Sequence, residues 1–158
     1  MSAITLQNIK LLVLDFDGVF TDNRVWVFED GREAVVCNRS DGLGIELLRK
    51  KLPIVVLSKE KNLVVQARCN KLQLKCYQGI DDKELVFKQI VEEHGVSLQE
   101  TAFIGNDIND LPCLRLAGVS IAVADAHPDV LTEVNYVLKK KGGDGAIREF
   151  CDMMLTSE

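Results

Sequence analysis

The sequence predicts a three-layer α/β domain built on a doubly wound parallel sheet, and two observations carry that prediction. Short apolar runs bounded by turn residues recur along the 158-residue chain, separated by longer stretches with helical spacing. The runs are continuous rather than alternating, the pattern of strands buried on both faces. Strand and helix in alternation give a parallel sheet with right-handed crossovers.

The strands are expected at 10–15 (KLLVLD), 53–57 (PIVVL), 74–77 (LKCY), 101–104 (TAFI), 119–123 (VSIAV) and 135–138 (NYVL). Helices are expected at 41–51, 61–72, 82–94, 108–117, 128–132 and 144–155. In the third, Ile80, Leu85, Val86, Ile90 and Val91 form the apolar face, with Lys83, Glu84, Lys88, Glu92 and Glu93 toward water. One segment breaks the rhythm. Residues 24–37, RVWVFEDGREAVVC, read as two short strands around Asp30-Gly31, a dipeptide typical of hairpin turns. A β-hairpin with exposed Trp26 and Phe28 therefore projects just after the first strand. No repeat, linker or low-complexity stretch is visible, so residues 1–158 are expected to form one domain.

Composition narrows the function. Nineteen Lys and Arg against 24 Asp and Glu give a net charge of −5, which argues against a nucleic-acid partner because phosphate-backbone binding needs a basic stripe. The one basic run, Lys139–Lys141, reads as a solvated turn. Five scattered cysteines without a C-x-x-C pair read as reduced thiols of a cytoplasmic protein. No apolar run approaches the roughly 20 residues that span a bilayer.

In a doubly wound sheet, ligands bind beyond the carboxyl ends of the strands. Asp15 and Asp17 follow the first strand, Ser58 follows the second, Lys83 opens a helix, and GNDIND (105–110) follows the fourth. Together they predict one acidic crater. Its carboxylates repel one another unless a cation lies between them, and Mg²⁺, a hard ion that keeps waters and a substrate phosphate among its ligands, meets that need. Each residue also has a structural reading: Ser58 and Asp107 as helix caps, Lys83 as a solvated lysine.

The quoted motifs, "DFDGVFTD", the serine closing "VVLS", the lysine in "DDKE" and "FIGNDIND", resemble the four motifs of the haloacid dehalogenase superfamily in its phosphatase branch. "DGLGIELL", "GNDINDLPCL", "AVADAHP" and "GGDGAIREFCD" extend the resemblance to the small capless phosphatases of 8- and 9-carbon sugar acids, and to a related domain of CMP-sialate synthetases. It covers about residues 9–155. The resemblance implies a Rossmann-like fold without a cap domain, with Asp15 as nucleophile and Asp17 as acid and then base. It implies that Ser58 and Lys83 contact the phosphoryl group, that Mg²⁺ is held by Asp15, Asp17 and Asn106 or Asp107, and that Asp110 supports them. It further implies a homotetramer in which the hairpin packs against neighbours. One departure stands out: the family's fourth motif usually reads G-D-D, and Asn106 takes the place of its first aspartate.

For the substrate, Glu60 could accept hydrogen bonds from sugar hydroxyls, while Lys59, Lys61 or Arg68 could take the sugar-acid carboxylate and Arg148 could reach a neighbouring subunit's site. Glu60 also reads as a first-turn acid facing a helix dipole, and Arg148 as half of an intramolecular salt bridge. His94 and His127 read as structural. The competing function is a non-catalytic assembly module of the synthetase type; the presence of Asp15, Asp17, Ser58 and Lys83 favours an enzyme.

Overall fold

Four fully buried residues, Leu11–Leu14, form the central strand β1 of a computed structural model that describes residues 5–157; the ends of the expected 1–158 domain, residues 1–4 and 158, lie outside the described residues. After β1 the chain forms a hairpin of β2 (Trp26–Val27) and β3 (Glu33–Ala34), then α1 (Arg39–Leu48), β4 (Ile54–Leu57), α2 (Val64–Leu72), β5 (Lys75–Tyr77) and α3 (Lys83–Glu93). There follow β6 (Thr101–Gly105), α4 (Leu111–Leu116), β7 (Val119–Ala122), α5 (Pro128–Glu133), β8 (Tyr136–Val137) and α6 (Ala146–Thr156).

The main sheet runs β5-β4-β1-β6-β7-β8, with every pairing parallel. The chain winds outward from β1 to β5 and then returns to the other side of β1 with β6. The winding direction therefore reverses between β1 and β6, where Leu14 pairs with Ile104. Splayed chain ends at such a reversal leave a crevice for ligand. Helix α1 packs on α6, and α3 on α4. Phe16, Phe20, Phe87, Phe103 and Phe150 fill the core, with Phe16 stacked on Phe20 at 5.0 Å and Phe87 edge-on to Phe103 at 5.4 Å between centroids. The segments after β1 and after β5 hold only the hairpin and a short turn, so no cap domain is inserted there.

The structure corrects several local expectations. Leu85 is exposed and Phe87 takes its place in the core, while Lys83, expected in water, is buried because two carboxylates surround its ammonium. The helix expected at 108–117 opens as a 3₁₀ turn, Ile108–Asp110, and becomes α-helical only from Leu111, with Pro112 in the first turn, where its missing N–H costs nothing. The first helix starts at Arg39, two residues early, because Asn38 accepts the Ser40 N–H at 2.8 Å as its N-cap. The hairpin turn is three residues rather than two. Phe28 pairs with Arg32, and Gly31, at φ +86°, donates to the Phe28 carbonyl at 2.9 Å, the turn-plus-bulge form that requires a left-handed residue. His127 caps α5, and His94 Nδ1 lies 2.7 Å from the Ile90 carbonyl, both structural.

Candidate active site

Because β1 and β6 are neighbours, Asp15 and Asn106 emerge side by side, with the Asp15 N–H donating to the Ile104 carbonyl at 3.0 Å. Asp17, Ser58, Glu60 and Asp107 join them around a cavity of about 250 Å³, which Asn23, Lys59 and Asn109 complete. Lys83 and Asp110 lie beneath its floor. The Lys83 ammonium donates to Asp15 Oδ1 at 2.9 Å and to Asp110 Oδ1 at 2.7 Å. The other Asp110 oxygen accepts the Asn106 N–H at 2.9 Å. One fully buried carboxylate thus fixes both the lysine and the loop after β6.

The loop after β1 is braced from two sides. Buried Thr21 Oγ1 accepts from the N–H of Gly18 at 3.1 Å and of Asn23 at 3.2 Å. Gly18 has φ +79°, and a Cβ there would lie 1.9 Å from Asn106 Nδ2, so only glycine lets the Asn106 amide sit against this loop. From the far end of the sequence, a Cβ on Gly142 would fall 1.8 Å from the Gly18 carbonyl oxygen. Gly142 in turn donates to Asp125 at 3.1 Å, and Gly143 to the Val19 carbonyl at 3.2 Å.

The electrostatics follow from one cation set among several acids. Burial raises the Asp15 pKa to about 7, helped by Asp110 and opposed by Lys83. Burial likewise raises Asp17, with Glu60 and Glu33 adding to the effect. Burial works against the Lys83 charge, but Asp15 and Asp110 outweigh it and hold that pKa above the ordinary range. This excess of negative charge, with carboxylate and amide oxygens around one small cavity, is a donor set that fits a hard divalent cation. Among the described residues no three His, Cys, Asp or Glu side chains converge as a ready metal cage. Asn106 contributes a neutral amide to this lining rather than a further acid.

Asp15, Asp17, Ser58, Glu60, Asn106 and Asp107 thus meet at the crater, with Lys83 and Asp110 below. Three of them also serve locally: Ser58 Oγ accepts the Glu60 N–H at 3.1 Å, and Asp107 Oδ1 accepts the Ile108 N–H at 2.7 Å. Glu60 Oε1 accepts the N–H groups of Lys61 and Asn62, each at 2.9 Å. Lys61, Arg68 and Arg148 do not line the crater. Arg68 lines a separate groove with Glu33, Cys37, Arg39 and Lys71, its Nε buried without a hydrogen-bond partner. Arg148 binds Asp152 at 3.0 Å through Nε, while its main-chain N–H donates to Asp41 at 2.9 Å, because Gly145 at the start of α6 has no side chain to cap it. Sequence reasoning placed Asn109 in the crater through the 105–110 run, but missed Asn23 and Gly142. The polar run Thr21-Asp22-Asn23 directly after the D-x-D motif was the available signal for the first.

Comparison with known proteins agrees with this geometry. Residues 59–150 match the model of the haloacid dehalogenase-like hydrolases. The chain is 35% identical over 154 residues to the 3-deoxy-D-manno-octulosonate 8-phosphate phosphatase KdsC of Escherichia coli K12, covering 96% of this chain and 82% of that protein. A structure described as a HAD family hydrolase of Streptomyces avermitilis superposes with a TM-score of 0.93 at 48% identity, covering 96% of this chain and 87% of the other. The Moraxella catarrhalis octulosonate 8-phosphate phosphatase, in complex with magnesium, phosphate and KDO, superposes with a TM-score of 0.93 at 29% identity over 97% of this chain and 89% of that one. With the motifs seated at the reversal point of the sheet and the family model spanning more than half its length, the chain belongs to the haloacid dehalogenase-like hydrolases, in their phosphatase branch.

Proposed function

We propose that the protein is a Mg²⁺-dependent phosphomonoester hydrolase that removes the phosphate of an 8-carbon 2-keto-3-deoxy sugar acid, octulosonate 8-phosphate, through an aspartyl-phosphate on Asp15. Residues 1–158 act as one cytoplasmic domain in this reading, and the five free cysteines fit a reducing compartment. The observation that carries it is Asp15 itself, a buried carboxylate at the end of the central strand with one oxygen held by Lys83 at 2.9 Å. Its other oxygen attacks phosphorus in line. Asp17, whose pKa burial raises above the ordinary carboxyl value, protonates the departing sugar oxygen and then takes a proton from the hydrolytic water. The Ser58 hydroxyl accepts from the Glu60 N–H and keeps its own proton to donate to the phosphoryl group.

The Asp15 carboxylate, the Asp17 carbonyl and the Asn106 amide oxygen would hold Mg²⁺, which supplies the charge neutralisation that lets a carboxylate approach a phosphate dianion. Asn106 is preferred to Asp107 because the latter caps its own 3₁₀ turn. Because Arg68 lies in a separate groove beside the hairpin, it would take the sugar-acid carboxylate of a substrate bound to a neighbouring subunit. The hairpin leaves Val25, Trp26, Val27 and Phe28 exposed. An apolar surface of this kind supports assembly into a homotetramer.

Nonulosonate 9-phosphate is a second reading, favoured by Glu60 at the crater wall, where a carboxylate accepts hydrogen bonds from the extra hydroxyls. Phosphate release from octulosonate 8-phosphate, neuraminate 9-phosphate and its deaminated analogue, with Asp15→Asn as control, tests both. Release fastest from the first supports the 8-carbon reading. Release from none, with the assembly intact, supports a non-catalytic module instead.

A further inference from the structure

Asn23 stands out among the crater residues for its backbone. It has φ +70°, one of only two non-glycine residues with positive φ among the described residues. The other, Gln73, terminates a helix, where a left-handed residue is ordinary. Asn23 ends no helix. Glycine would adopt this conformation without steric cost, and asparagine is the side chain that tolerates it best. Its N–H is fixed to Thr21 Oγ1 at 3.2 Å, so the turn is already held by the main chain. The carboxamide makes no hydrogen bond to another described residue, is exposed, and lines the same cavity as Asp15, Asp17 and Ser58.

The crater gives this amide a definite neighbourhood. Lys59 and Glu60 lie on the segment after β4, whereas Asn23 lies on the loop after β1, so the two segments contribute separate parts of the cavity wall. Near Asp17 a phosphate ester must place the first atoms of its alcohol. A carboxamide offers two N–H donors and a carbonyl acceptor, which match adjacent hydroxyls that donate and accept at once. A carboxylate or ammonium at the same place would match only one of those roles.

We propose that Asn23 is a specificity-determining residue, whose carboxamide hydrogen-bonds adjacent hydroxyls of a polyhydroxylated leaving group as that group departs past Asp17. This rests on the phosphatase reading of the crater. The contact exists in the bound substrate as well as in the transition state, so its loss acts chiefly on KM. Losing one or two neutral hydrogen bonds lowers kcat/KM by about five- to tenfold.

The test compares wild type, Asn23→Gly and Asn23→Asp on octulosonate 8-phosphate, a hexitol 6-phosphate and p-nitrophenyl phosphate, which has no hydroxyls to read. The expected result for Asn23→Gly is a fivefold or greater fall in kcat/KM for the polyol esters relative to p-nitrophenyl phosphate, carried by KM, with Asn23→Asp falling in the same direction. A ratio unchanged within twofold, or an equal loss on all three esters, overturns the proposal and leaves Asn23 a turn residue. A wild type that prefers the hexitol ester to octulosonate 8-phosphate overturns the sugar-acid reading instead, and the hexitol ratio then still decides the role of Asn23.

Discussion

Lys83 Nζ lies between Asp15 and Asp110, 2.9 Å from one carboxylate and 2.7 Å from the other, with all three side chains almost wholly out of water. The ammonium therefore opposes the protonation that burial favours at the proposed nucleophile, and ties it to the loop after β6. Replacing Lys83 by Ala leaves two buried carboxylates facing each other, and breaking a buried pair in this way costs about 3–5 kcal/mol. The expected outcome is a fall of that size in urea-unfolding stability together with loss of phosphate release. A Lys83→Ala protein as stable as wild type would contradict this account.

The neutral Asn106 removes one negative charge from the cation's surroundings. Asn106→Asp should tighten Mg²⁺ binding roughly tenfold in calorimetry, since ligand charge tunes affinity for hard cations. It should also enlarge the rise in melting temperature on adding Mg²⁺. Unchanged affinity would place the ion away from residue 106.

Asp41 gives a pH signature remote from the crater. Burial raises its pKa from 3.8 to about 6. Because the folded form holds a proton that the unfolded chain releases, this group's contribution is full below the unfolded value and is lost as pH rises through about 6. Wild type should therefore lose more melting temperature between pH 4.5 and 7.5 than Asp41→Asn, which keeps an acceptor for the Arg148 N–H. Parallel melting curves across that range would count against it.

Gly142→Ala places a methyl group where the Gly18 carbonyl now sits, 1.8 Å from the oxygen. Overpacking of this kind costs about 1–3 kcal/mol. Because the displaced backbone belongs to the loop that carries Asp17, activity should fall at least tenfold, more than the modest drop in melting temperature suggests. Equal activity would show that the loop yields without disturbing Asp17.

Charges on the hairpin test assembly. Trp26→Asp with Phe28→Asp should leave the fold intact, since both residues are exposed, and shift the protein to a smaller species in light scattering. A wild type already monomeric would end the tetramer proposal.

Most of this architecture was legible in the sequence because buried parallel strands announce themselves as unbroken apolar runs, and each of the six expected runs became a strand of the main sheet. Asp15, Ser58 and Asn106 lie at the crater for the same reason: each follows such a run. Lys83 could be named as a site residue yet was expected in water, since helical spacing reports a face and not the two carboxylates that fold over it. Asn23, Gly142 and the separation of Arg68 and Arg148 from the crater depend on packing between segments far apart in the chain. Periodicity carries no information about those contacts.

The contact between Gly18 and Gly142 has a consequence for how the protein is made. Residues 15–23 come early in the chain, yet the brace that shapes them comes from Gly142 and Gly143, far later in it. A nascent chain can pair β1 with β4 and β6 well before residue 142 leaves the ribosome, so the sheet precedes the working loop. The loop that carries Asp17 would then be among the last parts of the fold to take its final shape. Activity would report completion of the fold more stringently than any spectroscopic measure of its strands and helices.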